Sequence, residues 1–79
     1  MTQKLCQVRL SPGERTRLLE LTKKGKVPAR QLRRAHILLL ADEGAKDEAI
    51  ADSLHVSLAT VWRTRQRFMT ENLEKALTE

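Results

Sequence analysis

Apolar positions along this chain fall into four blocks with helical spacing, and each block opens on a capping residue or a proline. Ser11-Pro12-Gly13-Glu14 opens the first. Serine is a good N-cap, proline fits the first helical position, and a glutamate three residues after the serine completes a capping box. The predicted helix runs to about Lys24, burying Leu18 and Leu19 with Leu21 beside them. Gly25 ends it, with Lys23 and Lys24 at the negative end of the dipole. Pro28 opens a second helix to about Glu43, stopped by Gly44. Leu32, Ala35 and Leu39 share one of its faces, and Ile37 to Ala41 is apolar nearly all round. A helix of that kind is surrounded by others, so this one is predicted as the central strut. Asp47 is predicted to cap a short third helix to about Ser53, with Glu48 and Asp52 outside and Ala49, Ile50 and Leu54 facing the core. Ser57 caps a fourth, from Leu58 to about Asn72, after a tight turn at Leu54-His55-Val56. The ends are weaker. Lys4 to Leu10 alternates loosely and reads as an extended arm or short strand, and 73–79 as a weak helical extension or a fraying end. The predicted organisation is an arm at 1–10, a helical domain at 11–72 and a tail at 73–79. Its class is all-α, a small bundle of about four helices.

Composition narrows this picture. The 79 residues make one domain, which buries only about 60 % of its unfolded surface. With one Trp, one Phe and no Tyr, the core falls to Leu, Ile, Val and Ala. The single cysteine, Cys6, excludes an intramolecular disulfide and reads as a free thiol on the arm. Ile37 to Ala41 is the longest apolar run, far short of the roughly 20 residues a membrane span needs. The N-terminus lacks a signal-peptide apolar segment. The expectation is a cytoplasmic protein without a membrane partner.

The net charge of +5 is unevenly spread. Residues 1–41 hold ten Lys/Arg against Glu14 and Glu20, whereas 42–55 hold Lys46 against five acids. Residues 56–70 hold Arg63, Arg65 and Arg67 and no acid. Basic and acidic segments in alternation suit a footprint for a polyanion better than uniform solubilising charge.

The segment 47–68 fits a helix-turn-helix template. Ile50 and Leu54 point inward, Ala51 sits where two helices cross closely, Val56 plugs the turn and Val61 faces back from the second helix. In such a motif the second helix enters the major groove and its N-terminal residues meet base edges. That assigns Ser57, Leu58, Ala59, Thr60, Trp62, Arg63 and Gln66 to the DNA side or its edge, and Val61, Thr64 and Phe68 to the core. Arg63, Arg65 and Arg67, with no acid nearby in sequence, are read as DNA-facing, Arg63 and Gln66 as base readers. Two readings stand open for Arg30, Arg33 and Arg34, a solvated face or phosphate contacts. Two stand open for Trp62 as well, the rim of the core, which is preferred, or sugar and phosphate. The turn usually holds glycine in a left-handed conformation, and here it holds His55, one of the residues enriched at positive φ. Read as a zinc or catalytic residue, His55 would have only His36 as a second imidazole, and Cys6 is distant in sequence. His36 reads as a core or boundary residue. No cofactor, metal or small-molecule ligand is expected, and no catalytic set is found: there is no phosphate loop, no paired metal ligands and no Ser/His/Asp combination. RNA is disfavoured as a partner because stacking aromatics are nearly missing.

Leu10-Ser11-Pro12-Gly13-Glu14-Arg15, Val27-Pro28-Ala29-Arg30, Leu32-Arg33-Arg34-Ala35, Ile37-Leu38-Leu39 and Ala41-Asp42-Glu43-Gly44 together form a recognisable series. Ile50-Ala51, Val56-Ser57-Leu58-Ala59-Thr60-Val61, Arg65-Gln66-Arg67-Phe68 and Asn72-Leu73-Glu74 continue it. The series resembles the N-terminal domain of mariner-related bacterial insertion-sequence transposases over nearly the whole chain. The resemblance implies a homeodomain-like fold that binds the terminal inverted repeats of a mobile element, for a catalytic Asp-Asp-Glu domain these residues do not contain. It also raises a homodimer as a partner state. The rival within the same motif is a free-standing transcriptional regulator, and outside it a protein-interaction bundle. For the site, the reading is Ser57, Leu58, Ala59, Thr60, Trp62, Arg63, Gln66 and Arg67 on double-stranded DNA, with Arg33 and Arg34 on phosphates.

Overall fold

Backbone hydrogen bonding and side-chain caps divide the chain into five helices. The computed structural model describes residues 8–24 and 26–78. The helices are α1 (Pro12–Lys24), α2 (Ala29–Asp42), α3 (Asp47–Leu54), α4 (Leu58–Thr70) and α5 (Leu73–Thr78). No strand occurs among the described residues. Cys6 and Gly25, and with them the proposed free thiol and the proposed stop of the first helix, lie outside that range.

Each boundary has a local cause. At α1 the Ser11 N–H donates to Glu14 Oε1 at 3.0 Å and the Glu14 N–H to Ser11 Oγ at 3.2 Å, the reciprocal capping box read from the sequence. The end of α2 closes on Gly44 at φ 95°. There the Gly44 N–H donates to the Ala41 carbonyl and the Ala45 N–H to the Leu40 carbonyl, both at 3.0 Å. This pair of bonds is a Schellman closure, which needs a left-handed residue and so favours glycine. Lys46, not Asp47, is the N-cap of α3, and it makes no side-chain capping bond. Asp47 is already helical, and its carboxylate is used elsewhere. Asn72 caps α5, its Oδ1 accepting from the Lys75 N–H at 2.9 Å.

Packing is organised around α2, which touches α1, α3, α4 and α5. Ala35, Ile37, Leu38, Leu39 and Ala41 are buried on it, as a segment apolar nearly all round requires. Leu18 from α1, Ile50 and Ala51 from α3 and Val61 from α4 complete the centre. Two expectations for this core do not hold. Leu19 stays 41 % exposed, because Leu18 and the half-buried Leu21 already fill the one stripe that α1 turns inward. Ala49 is exposed as well, one step off the face that carries Ile50.

Both ends of the described chain are tied in. Val8 is buried, and the Leu10 N–H donates to Asp42 Oδ1 at 2.9 Å. Arg15 pairs with Asp42 and Glu43 at 2.7 and 2.9 Å. The hydrogen bond that Arg15 donates to Glu43, with the one it donates to Asp42, raises the pKa of its guanidinium above the usual value against the opposing effect of desolvation. At the other end, Leu73, Ala76 and Leu77 of α5 are buried in the same core. Of the residues read as a weak helical extension or a fraying end, Leu73–Thr78 form a packed fifth helix.

Candidate nucleic-acid interface

Three features shape α3, the turn at His55 and α4: two backbone bonds to the Ala51 carbonyl as the first contact, the Ser57 cap as the second, and an ion pair. His55 sits at φ 58°, ψ 45°, and its N–H donates to the Ala51 carbonyl. The Val56 N–H reaches the same carbonyl at 3.0 Å. The left-handed histidine therefore reverses the chain as the glycine of other such turns would. Ser57, extended at φ −77°, then starts α4, its Oγ accepting from the Thr60 N–H at 3.1 Å. The third contact is an ion pair between Arg65 and Asp47. The Arg65 side chain is only 7 % exposed. A charge-assisted bond at that burial fixes the angle between the helices rather than serving a ligand.

With Val61, Thr64 and Arg65 buried on α4, the opposite side of the helix is left in solvent. It presents Ser57, Leu58, Ala59, Trp62 and Arg63, all exposed, with Gln66 half-buried one turn beyond Trp62. Leu58 and Trp62, at 49 % and 53 % exposure, lie one turn apart, and the exposed Met69 continues their side of the helix. The flank toward α5 is different in character. Arg63 and Arg67 from α4 meet Arg34 from α2 around an open cavity of about 190 Å³, completed by Thr60, Thr64 and Ala76. Arg34 also donates to the Leu77 carbonyl at 3.5 Å. Thr64 Oγ1 donates to the Thr60 carbonyl at 2.9 Å. Among the described residues, no three His, Cys, Asp or Glu side chains gather where a metal ion could be held. No helix among the described residues is long and apolar enough to cross a membrane.

Residues 28–77 match the homeodomain-like domain family. The chain belongs to that family. No curated protein and no solved structure matches it. Membership fits the observed geometry, since α2, α3 and α4 form the three-helix unit in which the last helix carries the exposed face. It points to DNA as the partner of this homeodomain-like domain.

The residues expected at the interface are spread over the domain as follows. Ser57, Leu58, Ala59, Thr60, Trp62, Arg63, Gln66 and Arg67 share α4 and its N-cap. Arg33 is exposed on α2, while Arg34, its neighbour in sequence, is half-buried and turned to α4 and α5. Trp62 is less covered than a residue stacked on the core's rim would be. His36 is half-buried, a boundary position. The expectation that Arg65 faces DNA is overturned by its burial and its pair with Asp47. Arg67 likewise has an acid in reach, Glu71 at 3.5 Å one turn along α4. Sequence distance hid the first pair, whereas Glu71 lies only four residues from Arg67 and just past the acid-free segment. Asp47 is 18 residues from Arg65, and only the turn brings them together. The cavity could not be foreseen with 73–79 read only as a weak helical extension or a fraying end, although Asn72 followed by Leu73, Ala76 and Leu77 is a cap followed by apolar spacing on one face.

Proposed function

We propose that this homeodomain-like domain binds double-stranded DNA sequence-specifically, with α4 in the major groove. It would serve as the domain of a transposase that recognises the terminal inverted repeats of its element. One observation carries the groove assignment. α4 is bound to the core by Val61, Thr64 and Arg65, while Ser57, Leu58, Ala59, Trp62 and Arg63 stand in solvent on its other side. An exposed helical face of that size, on a chain of net charge +5, suits a groove lined by phosphates. Gln66 is the base-reading residue, since glutamine pairs bidentately with adenine and each good pair discriminates by about 1–3 kcal/mol. Leu58, Ala59 and Trp62 offer apolar contact beside it, of the kind that meets thymine methyl groups. Ser57 and Thr60 lie where the helix starts and the backbone approaches. Arg33, exposed on a different helix, contributes to affinity without sequence information. The transposase assignment draws on the series of residues from Leu10 to Glu74 set out above.

Selection from randomised duplexes tests this reading. Wild-type protein should enrich one motif, and Gln66→Ala should relax a single position of it while leaving the rest. An enriched motif that matches inverted repeats around the gene supports the transposase role, and a promoter motif would make the protein a regulator instead. Enrichment of no motif sinks the sequence-specific reading.

A further inference from the structure

The cavity between α2, α4 and α5 has an unusual lining: three arginines, two threonines, one alanine and no carboxylate. Its volume of about 190 Å³ is well above the ~15 Å³ that a single water needs. Three arginines line one opening, where like charges repel one another and an anion is favoured. The arrangement is nevertheless held in place. Arg34 is steadied from behind by the Leu77 carbonyl. The small side chain of Ala76 leaves room on the α5 side, and Thr60 and Thr64 keep the α4 wall short. The Arg67–Glu71 pair, at 3.5 Å and with both side chains about a third or more exposed, is a weak competitor for an incoming anion.

We infer that this cleft is a phosphate-binding site in which Arg34, Arg63 and Arg67 together hold one phosphodiester of the DNA backbone. The guanidinium fork suits phosphate because it donates two parallel N–H bonds to two oxygens of one group. Position favours the backbone over a base. Arg63 and Arg67 lie where the exposed face of α4 turns toward α5, so a strand bordering the groove that α4 occupies would pass over the cleft. This inference rests on the duplex-binding reading and alters it in one respect. Arg63 becomes an anchor shared with α2, not a reader of base edges.

Sharing makes the test sharp. Each phosphate neutralised contributes about 0.9 to the log–log slope of duplex affinity against salt. Binding of a mixed-sequence duplex should be measured over a potassium chloride series for wild type, Arg34→Gln, Arg63→Gln and the double variant. Each single change should lower the slope by up to about one, and the double change should lower it no further than one. Slopes that fall additively to about two would mean separate phosphates and overturn the shared cleft, as would slopes that do not move. If Arg34→Gln fails to fold, Arg67→Gln takes its place. A second readout stands apart from duplex binding. At matched ionic strength, inorganic phosphate should raise the melting temperature over chloride, and Arg63→Gln should remove the difference. A protein indifferent to phosphate overturns the cleft whatever the duplex data show. A wild-type protein that phosphate stabilises but that binds no duplex would keep the anion site, reassign it to a free phosphate, and defeat the duplex reading alone.

Discussion

His55 is the residue whose sequence and conformation disagree most. A side chain with a Cβ in the left-handed region costs about 1–2 kcal/mol, and His55 occupies that region at φ 58° while its side chain stays exposed. His55→Gly should therefore raise stability by about 0.5–1 kcal/mol, once the greater freedom of the unfolded glycine is deducted. In a domain of this size that is a rise of about 4 °C in melting temperature. Thermal unfolding followed by circular dichroism checks it, and a lower midpoint would show that the imidazole makes a contact worth more than the strain. The need for a left-handed residue was legible from the turn's length and its place between two capped helices. Arg65 was not legible. Its neighbours in sequence carry no acid, so it looked like a member of a basic face, and only the folded turn delivers Asp47 to it. Local pattern reveals caps and turns, which are made by residues three or four apart. It is blind to a pair closed across two helices.

Among the elements, α1 to α4 could be read from caps, prolines, glycines and apolar spacing, with boundaries displaced by a residue or two at α2, α3 and α4. The fifth helix was harder because six residues are too few to show a period by themselves. Its stability comes from burial of Leu73, Ala76 and Leu77 against α2 and α4. Leu77 is 2 % exposed, so Leu77→Ala should cost about 3 kcal/mol of unfolding free energy. Urea titration would measure it. A loss below about 1 kcal/mol would mean that α5 rests on the surface and does not help to close the core. The same helix supplies Ala76 to the arginine cleft, so its loss should also weaken anion binding.

On the scale of the whole molecule, a core centred on α2 leaves one side of α4 free, and the charge map places arginines along its flank. The fold class was legible because few chain topologies bury an all-round apolar helix in a domain of 79 residues. The arginine cleft was not, since its three charges come from two helices and its alanine from a third. Trp62 gives the central claim a direct probe: it is the only tryptophan in the chain and stands 53 % exposed on the face assigned to DNA. Its emission should be recorded with acrylamide as quencher while duplex is added at low salt, with anisotropy of a labelled duplex reporting binding in parallel. The prediction is that quenching of Trp62 falls as duplex saturates the protein, and that added salt reverses both signals together. Saturation by duplex with Trp62 as open to acrylamide as before would contradict the account, because the protein would then bind DNA by some other face.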